Sequence, residues 1–356
     1  MFGFRRKQRP LLGIDIGSTA VKVVELANGR GSEAASVRAE ALALEPLPPG
    51  VLVDKKIADI AEVGAALSTA LKRCRTKTKR AAVAVAGSAV ITKVLSLNGE
   101  LSDAEMEAQI ELEADQYVPY PLEEVNLDFD VLGPTEGASG MVDVLLAASR
   151  QENVDDRVAA LELAGLSAEI VDIESNAIES ACGLVVDPLA SQSERLVGVA
   201  DIGSSATTLH VLRNGQNIYS REQSFGAQHL IDEVQRREGL TPAESLERLQ
   251  LTQGLTELQE AVLDPFQEAL GRQLARALQF FFSASAHNRV DGLMLTGGVS
   301  TLPGLDRAVG ERLAIPVWVA DPFAEMALSE HLDLDLIRHR RGSMLIAVGL
   351  AMRRFR

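Results

Sequence analysis

A short motif occurs twice in this sequence, once near the start of the chain and once after its middle. Residues 11–26 read LLGIDIGSTAVKVVEL, and residues 196–212 read LVGVADIGSSATTLHVL. Aligned on Asp15 and Asp201, both copies carry an apolar run and then D-I-G-S, a second hydroxyl residue and alanine. An apolar run that ends in a glycine-containing turn is typical of a strand–turn–strand unit. Because internal duplication is a strong architectural signal, the repeat predicts two related lobes in an α/β fold.

Each repeated turn sets a carboxylate beside a glycine and two hydroxyls, as Asp15, Gly17, Ser18 and Thr19 do in the first copy. The glycine permits a tight reversal without a Cβ that would hold a phosphate away, and the free N–H groups form an anion-binding concavity. A carboxylate repels a bare phosphate unless a divalent cation and its waters lie between them. One such turn alone is equally well explained as a plain β-hairpin. Two facing turns predict a clamp for a polyphosphate, with Asp15 and Asp201 holding Mg²⁺ through water.

The third glycine-rich turn is TGG at 296–298, within LMLTGGVSTLPGL. A predicted buried strand delivers Gly297 and Gly298, where the backbone can approach a flat or charged ligand closely. A tight strand-to-helix turn that needs glycine for packing explains the same residues.

Between the two copies the sequence changes character and predicts an inserted module. ITKVLSL predicts a strand, LSDAEMEAQIELEADQYV a helix with a capping box at Ser102 and Glu105, and VNLDFDVLG with MVDVLLAAS a hairpin. Upstream, residues 55–74 have apolar residues at helical spacing and predict a helix. The predicted division is a first lobe at 1–86 and 166–190, an inserted α+β subdomain at 87–165, a second lobe at 191–224 and 290–356, and a helical subdomain at 225–289.

Composition excludes several classes of protein. A net charge of −15 over 356 residues argues against nucleic-acid binding. Cys74 and Cys182 lie far apart and the five histidines show no ligand spacing, which predicts reduced thiols in a cytosolic protein and no zinc site. No apolar run approaches the roughly 20 residues that span a bilayer. The basic start MFGFRRKQRP lacks the apolar region of a signal peptide, and either solvation or a weak contact with anionic lipid would explain it.

In chain order these segments resemble the phosphate-1, connect-1, phosphate-2, adenosine and connect-2 motifs of the actin-like ATPase superfamily. The resemblance covers nearly the whole chain and implies a duplicated two-lobe, ribonuclease H-like fold that binds ATP or ADP with Mg²⁺. It implies a first phosphate loop at Asp15, Gly17, Ser18 and Thr19, a second at Asp201, Gly203, Ser204 and Ser205, and an adenosine pocket at Gly297, Gly298 and Ser300.

The resemblance also suggests catalytic residues. Glu174, which opens ESNAIESACG, matches the position of a residue that helps to place the attacking water, and Asp15 is the second catalytic candidate. A carboxylate favoured by the dipole at a helix N-terminus explains Glu174 equally well. Lys22 is either a phosphate contact or an exposed lysine on a strand.

The chain departs from the superfamily at the A-E-x-x-K motif, whose lysine lies near the ribose. PAESLERLQ has Glu247 at the lysine position, and no lysine follows Lys93 in the chain. The neighbouring Arg248 is the candidate replacement cation. The departure predicts slow or absent hydrolysis, with ATP acting as a structural or conformational ligand.

Two features narrow the resemblance. The inserted module lies where the FtsA-type branch carries its extra subdomain, and EADQYVPYPLEEVNLDFDV with GIDIGSTAVKVVEL is similar to the PilM family of type IV pilus machines. FtsA proteins carry a C-terminal amphipathic helix, whereas this chain stops at MRRFR, which favours the pilus family. An FtsA-like division protein, a filament-forming actin homologue and a small-molecule kinase of the superfamily are the alternatives.

Membership of the pilus family would imply a cytoplasmic protein held at the inner membrane by its partners and needed for pilus biogenesis and twitching motility. It would bind the N-terminal cytoplasmic tail of PilN in a groove between the first lobe and the inserted module, and would contact other platform and motor proteins. The resemblance leaves homo-oligomerisation open. Tyr117 and Tyr120 in QYVPYP are candidates for the edge of this groove, although anchoring the module's helix in the core would explain them as well.

Overall fold

The first copy of the motif opens a β-sheet, which we call the first lobe. The structure, a computed structural model, describes residues 9–29, 37–185, 188–189, 194–250 and 256–355. The first elements are β1 (Leu12–Ile16), β2 (Ala20–Asn28), β3 (Val37–Pro46), β4 (Leu52–Val53), β5 (Lys56–Ile57), α1 (Ile60–Cys74) and β6 (Arg80–Val85). β1 pairs antiparallel with β2 and parallel with β6, and α1 covers one face of this sheet with Val63 and Leu67.

After β6 the chain leaves the first sheet and forms a small separate unit, the inserted module. Its elements are β7 (Val90–Asn98), α2 (Asp103–Ala114), β8 (Val125–Pro134) and β9 (Met141–Arg150). The three strands form an antiparallel sheet in the order β7-β9-β8, and α2 buries Met106 and Ile110 against one face. The helix begins at the predicted capping box, where Ser102 and Glu105 bond to each other.

The chain then returns to the first sheet and opens the second lobe with the second copy of the motif. The returning elements are α3 (Gln151–Leu163), β10 (Ser167–Ile173) and α4 (Glu174–Cys182). The second lobe contains β11 (Leu196–Ile202), β12 (Thr207–Arg213), β13 (Gln216–Gln223), α5 (Gln228–Glu238), α6 (Pro242–Gln250), a π-helical turn (Gln259–Leu263), α7 (Asp264–Ala284), β14 (Gly292–Gly297), α8 (Leu305–Leu313) and β15 (Val317–Val319).

The two sheets have the same topology. The first runs β3-β2-β1-β6-β10 and the second β13-β12-β11-β14-β15, with antiparallel pairs before β1 or β11 and parallel pairs after it. The chain ends with β16 (Ala327–Leu328), α9 (Leu334–Arg340) and α10 (Leu345–Met352). β16 adds to the edge of the first sheet beside β3. The duplication predicted from the repeated motif is therefore confirmed.

A core between the lobes surrounds α10, which is buried along Leu345–Ala351. This core joins first-lobe residues such as Val24 and Ile178 to second-lobe residues such as Val199 and Met294. A helix that is apolar on all sides is buried on all sides, and α10 packs mainly on the first lobe, against α4, β1, β2 and β6.

Close packing of α10 makes one glycine a sensitive position. A Cβ on Gly349 would overlap the backbone carbonyl of Ala177 in α4, and backbone atoms cannot move aside as a flexible side chain can. We expect Gly349→Ala to lower the free energy of unfolding by about 1–3 kcal/mol, the usual cost of overpacking, as measured by urea denaturation. Gly87→Ala is the control because nothing lies within 4 Å of its added Cβ. Equal stability of the two variants would contradict this packing.

The helix predicted over 55–74 is shorter than expected. α1 begins at Ile60, where the N-cap Asp59 accepts a hydrogen bond from the amide of Glu62. Residues 52–57 form the β4–β5 hairpin instead, and its turn residues Asp54 and Lys55 have φ of 49° and 63°. The prediction failed because the apolar spacing continues upstream of the cap. Lys55 therefore lies in a turn, from which its side chain contacts Glu174 and Glu222.

Candidate functional site

The two repeated turns close in the same way. The amide of Gly17 donates to the carbonyl of Ala20 at 3.1 Å, and the amide of Gly203 donates to that of Ala206 at 2.9 Å. In both hairpins the aspartate pairs with the residue seven positions later, so Asp15 lies opposite Lys22 as Asp201 lies opposite Thr208. The structure therefore gives Asp15 and Asp201 equivalent places at the ends of the two central strands.

The hydroxyl residues of the turns also correspond. Thr19 and Ser205, at matching positions, are exposed, whereas Ser18 and Ser204 are partly buried. The second turn is further anchored to the start of α5, because the amide of Gln228 donates to the carbonyl of Ser204 at 2.8 Å. The predicted loop residues thus lie together in two short turns with accessible hydroxyls.

The TGG turn lies beside the second repeated turn. Gly297 pairs with Ile202 at the end of β11 and has φ of 96°, and a Cβ on it would overlap the Ile202 backbone. Ser300 is buried, and its hydroxyl donates to the carbonyl of Gly297 at 2.8 Å. A Cβ on Gly298 would meet nothing within 4 Å, so this residue presents open backbone. Among the predicted adenosine residues, Gly298 faces open space and Ser300 shapes the loop from within.

Two lysines enter the cleft between the turns. The Lys22 ammonium lies 2.6 Å from an Asp15 carboxylate oxygen. The Lys55 ammonium lies 2.7 Å from Glu222 on β13 and 3.4 Å from Glu174, the first residue of α4. Because Glu222 belongs to the second lobe, Lys55 links the two lobes across the cleft.

A buried arginine holds the backbone of this lysine. Arg157 on α3 is 2% exposed. It donates to the carbonyls of Ala84 at 2.7 Å, Asn153 at 2.8 Å and Lys55 at 3.2 Å. Arg157 therefore ties the end of β6, α3 and the β4–β5 turn together behind the cleft.

Sequence reasoning missed Lys55, Glu222 and Arg157, because none of them lies in a repeated turn. The signal that could have found Lys55 is Asp59 followed three residues later by Glu62, which starts the helix at residue 60 and leaves 52–57 for a hairpin. Glu222 and Arg157 carry no comparable local signal, since only the tertiary fold brings them to Lys55.

The charges of the cleft favour the binding of an added cation. Burial raises the pKa of Glu174, and the charges of Asp15 and Asp201 raise it further against the opposing effect of Lys55. Burial likewise raises the pKa of Asp201, helped by Asp15 and Glu222. Burial alone would lower the pKa of Lys55, but Glu174 and Glu222 outweigh it and the net pKa is raised. Four carboxylates thus face two lysines in a confined space.

The raised pKa of Glu174 predicts that the difference in stability between wild-type protein and Glu174→Gln depends on pH. A carboxyl group whose pKa is raised in the folded state contributes stability that is fully present below its ordinary pKa of 4.5. That stability is lost as pH rises through the pKa of the folded state. Wild-type protein should therefore lose melting temperature relative to Glu174→Gln as pH rises above 4.5. Thermal melts of both proteins without nucleotide test this, with Glu268→Gln, whose side chain is 62% exposed, as the control. A difference that shrinks with pH would contradict the electrostatic description of the cleft.

The donor set of the cleft suits Mg²⁺ held with a phosphate. Mg²⁺ prefers oxygen ligands and is usually bound through one or two carboxylates, several waters and substrate phosphates. Asp15 and Asp201 supply such carboxylates, and the cleft's own carboxylates disfavour one another's ionisation. Within the described ranges no cluster of three or more metal-ligating side chains occurs.

The structure does not bring Arg248 into this cluster. Its guanidinium lies 3.0 Å from Glu238 and 2.5 Å from Glu257, both on the helical part of the second lobe. The side chain of Glu247 lies outside the described residues. In this conformation Arg248 is engaged by two carboxylates of its own subdomain.

A second concavity lies between the β4–β5 turn and the inserted module, and we call it the module cavity. Its volume is about 190 Å³. It is lined by Asp54, Lys55, Lys56, Ser88, Ala89, Ile91, Val118, Tyr120, Val125, Ala148, Ser149, Arg150 and Asn153. Tyr120 is 41% exposed and its ring lies under the Arg150 guanidinium at 5.2 Å. Tyr117 does not line the cavity, and its ring lies 4.9 Å from the Lys93 ammonium.

No helix in the part of the chain that the structure describes is long and apolar enough to cross a membrane. The residues of the basic start, 1–8, lie outside the described ranges.

Comparison with known proteins gives the family and the fold. The sequence matches the family described as type IV pilus assembly protein PilM over residues 13–355. The structure is similar to a chain of the PilM–PilN type IV pilus biogenesis complex, with 26% identity, coverage of 98% of this chain and 99% of that chain, and a TM-score of 0.80. It is also similar to the ethanolamine utilization protein EutJ from Carboxydothermus hydrogenoformans, with 14% identity, 97% and 89% coverage and a TM-score of 0.58. The predicted two-lobe, actin-like fold is confirmed.

Proposed function

This chain belongs to the type IV pilus assembly protein PilM family, and from that membership we propose that it binds ATP with Mg²⁺ between its repeated turns and the cytoplasmic N-terminal tail of PilN beside its inserted module. It would act at the cytoplasmic face of the inner membrane, held there by its partners, as a component of the pilus assembly platform. Membership of this family speaks against the division-protein and kinase alternatives.

The equivalence of the two turns is the observation that supports nucleotide binding. Asp15 and Asp201 end the two central strands, and the backbone of each turn lies beside accessible hydroxyls. Bound Mg²⁺ would neutralise the phosphates, while the chain's own carboxylates orient its waters and the turn amides bind phosphate oxygens. Lys22 and Lys55 supply the cationic side chains of the cleft. Open backbone at Gly298 would allow a base or ribose to approach.

Slow or absent hydrolysis fits the same residues. Glu174 is the candidate for placing the attacking water, yet one of its carboxylate oxygens lies 3.4 Å from the Lys55 ammonium. An oxygen that an ammonium engages is less available to orient a water molecule. Arg248 is held by Glu238 and Glu257, which removes it as a ready substitute for the lysine near the ribose. Nucleotide would then serve to set the conformation of the lobes.

The likeness to the PilM–PilN complex supports PilN as the partner, because it extends over nearly both chains. The module cavity lies between the first lobe and the inserted module, which is where membership of the family would imply a peptide groove. It combines apolar residues such as Ile91 and Val118 with the amphipathic ring of Tyr120. Such a mixture suits an extended peptide that buries one or two side chains and leaves its backbone to polar groups.

The test of this function uses the purified full-length chain and a synthetic peptide of the PilN cytoplasmic tail. The immobilised peptide should retain the protein at micromolar concentrations, and a scrambled peptide should not. Denaturing the purified protein should release ATP or ADP, which ion-exchange chromatography detects. Otherwise the folded protein should bind added ATP in calorimetry. Loss of peptide retention would contradict the PilN assignment, and absence of any nucleotide binding would contradict the assignment of the turns.

A further inference from the structure

A third concavity lies between the lobes, at the end of the second sheet that is opposite the repeated turns. We call it the interlobe cavity, and its volume is about 370 Å³, larger than that of the module cavity. One wall comes from the first halves of β11 and β14, whereas Asp201 and Gly297 stand at the other ends of these strands. The facing wall is the C-terminal half of α4, whose first residue, Glu174, lies in the cleft. The interlobe cavity is therefore separate from both sites described above.

The lining of the interlobe cavity includes apolar residues from both lobes. A Cβ on Gly292 would lie 2.6 Å from Cζ3 of Trp318, so this glycine lets the indole ring pack closely on the start of β14. The ring is thereby held as a preformed wall, and small-molecule sites combine such apolar walls with a few polar groups. The apolar residues are Val185 of the first lobe and Val197, Leu212, Met294 and Trp318 of the second.

A carboxylate without a cationic partner lines the same cavity. Glu179 on α4 is partly buried, and one of its oxygens accepts a hydrogen bond from the amide of Asn217 at 2.9 Å. Glu179 forms no ion pair with any residue that the structure describes. Acidic side chains that are withdrawn from water are usually paired, because an unpaired charge loses hydration without compensation. An added cation in the cavity would supply the missing partner.

The surroundings of Glu179 also favour a positive charge. Cys182 and Gly183 bring the C-terminal end of α4 to the cavity, and the dipole of a helix favours cations at this end. The face of a tryptophan ring attracts an ammonium as well. Arg195, the other charged residue of the lining, already has an interaction of its own. Glu179 is thus the charge of this cavity that a ligand would neutralise.

We infer that the interlobe cavity binds a small protonated amine with a compact apolar body, with the ammonium on Glu179 and the apolar part against Val197, Met294 and Trp318. An ammonium has three N–H donors, so it can bind the carboxylate and still donate to other acceptors. The bound amine would contact both lobes at the end of α4 that is far from Glu174. This site is additional to the proposed function and does not depend on it, because it shares no lining residue with the module cavity.

Fluorescence of the full-length chain tests this site directly. Trp318 is the only tryptophan in the sequence, so selective excitation of tryptophan reports on this cavity. The probes, titrated at neutral pH, are phenethylammonium, the uncharged 2-phenylethanol and the anionic 3-phenylpropanoate. We expect a saturable change with phenethylammonium, whose affinity should exceed that of 2-phenylethanol at least about fivefold because it adds a charged hydrogen bond.

Two outcomes with wild-type protein would overturn the inference. One is the absence of saturation by about 10 mM phenethylammonium, well above the dissociation constant of a weak millimolar site. The other is equal affinity for phenethylammonium and 2-phenylethanol, since the cavity would then not select a positive charge. Weakest binding of 3-phenylpropanoate is expected, because its carboxylate would face that of Glu179.

Glu179→Gln assigns the selectivity to the carboxylate. Glutamine keeps an oxygen for the amide of Asn217 but removes the charge, so the affinity for phenethylammonium should fall at least about fivefold, to that of 2-phenylethanol. Glu311→Gln, whose side chain is 71% exposed on α8, is the matched control and should keep the wild-type affinities. A thermal melt checks that both variants are folded. Wild-type affinity for phenethylammonium in folded Glu179→Gln would overturn the inference.

Discussion

Replacing Asp201 with asparagine should weaken the binding of Mg²⁺–ATP at least tenfold and, in the same protein, raise the melting temperature of the nucleotide-free form. A tenfold loss corresponds to about 1.4 kcal/mol of binding free energy. Asparagine keeps the shape of the side chain but removes the charge that would face Mg²⁺ through water. Stability should rise because burial, Asp15 and Glu222 all disfavour the ionised Asp201 carboxylate, as its raised pKa indicates.

The opposite signs of these two effects distinguish a binding residue from a structural one. A residue kept for stability loses stability when it is replaced, whereas binding sites often hold charges that the empty fold disfavours. Calorimetry gives the affinity and a thermal melt gives the stability. Asp335→Asn is the control, because its side chain is 77% exposed on α9. Unchanged ATP affinity in Asp201→Asn would exclude the second turn from the nucleotide site.

The parts of this structure that could be predicted from the sequence are those with local signals. Asp15 and Asp201 stand in a motif that occurs twice, and equivalent residues of a duplicated unit occupy equivalent places in the fold. Ser102 and Glu105 likewise mark the start of α2 within four residues of sequence. Strand order around β1 and β11 follows from the same duplication, because both units pair first with the next strand in the chain.

The parts that could not be predicted depend on contacts between distant residues. Lys55 reaches Glu222 across 167 positions of sequence, and no pattern in either segment indicates their contact. Helical periodicity even suggested a wrong structure for residue 55, because Ile57 fits both the helix pattern and the small hairpin. The partners of Arg248 were missed for a related reason, since Glu238 and Glu257 belong to neighbouring segments of the second lobe that meet only after folding.

The module cavity gives the second large expected effect, because its two candidate tyrosines occupy different environments. We expect Tyr120→Ala to weaken binding of the PilN tail peptide at least tenfold, about 1.4 kcal/mol. Tyr120 lines the cavity, and the nearby Arg150 guanidinium holds its ring in place. A partly exposed, preorganised aromatic ring at the wall of a concave site is the kind of residue that dominates peptide affinity. Calorimetry with the peptide, on protein whose melting temperature is checked, measures the loss.

Tyr117→Ala is the matched control for this prediction. Tyr117 is 38% exposed, close to the 41% of Tyr120, and its ring also lies near a cation, Lys93. The two variants therefore remove the same side chain from similar exposure and differ in whether that side chain lines the cavity. We expect Tyr117→Ala to change peptide affinity by less than about twofold, and Tyr120→Phe to retain most of the wild-type affinity because it keeps the ring. Equal losses in the two alanine variants would place the peptide elsewhere on the module, along the surface near α2 and not in the module cavity.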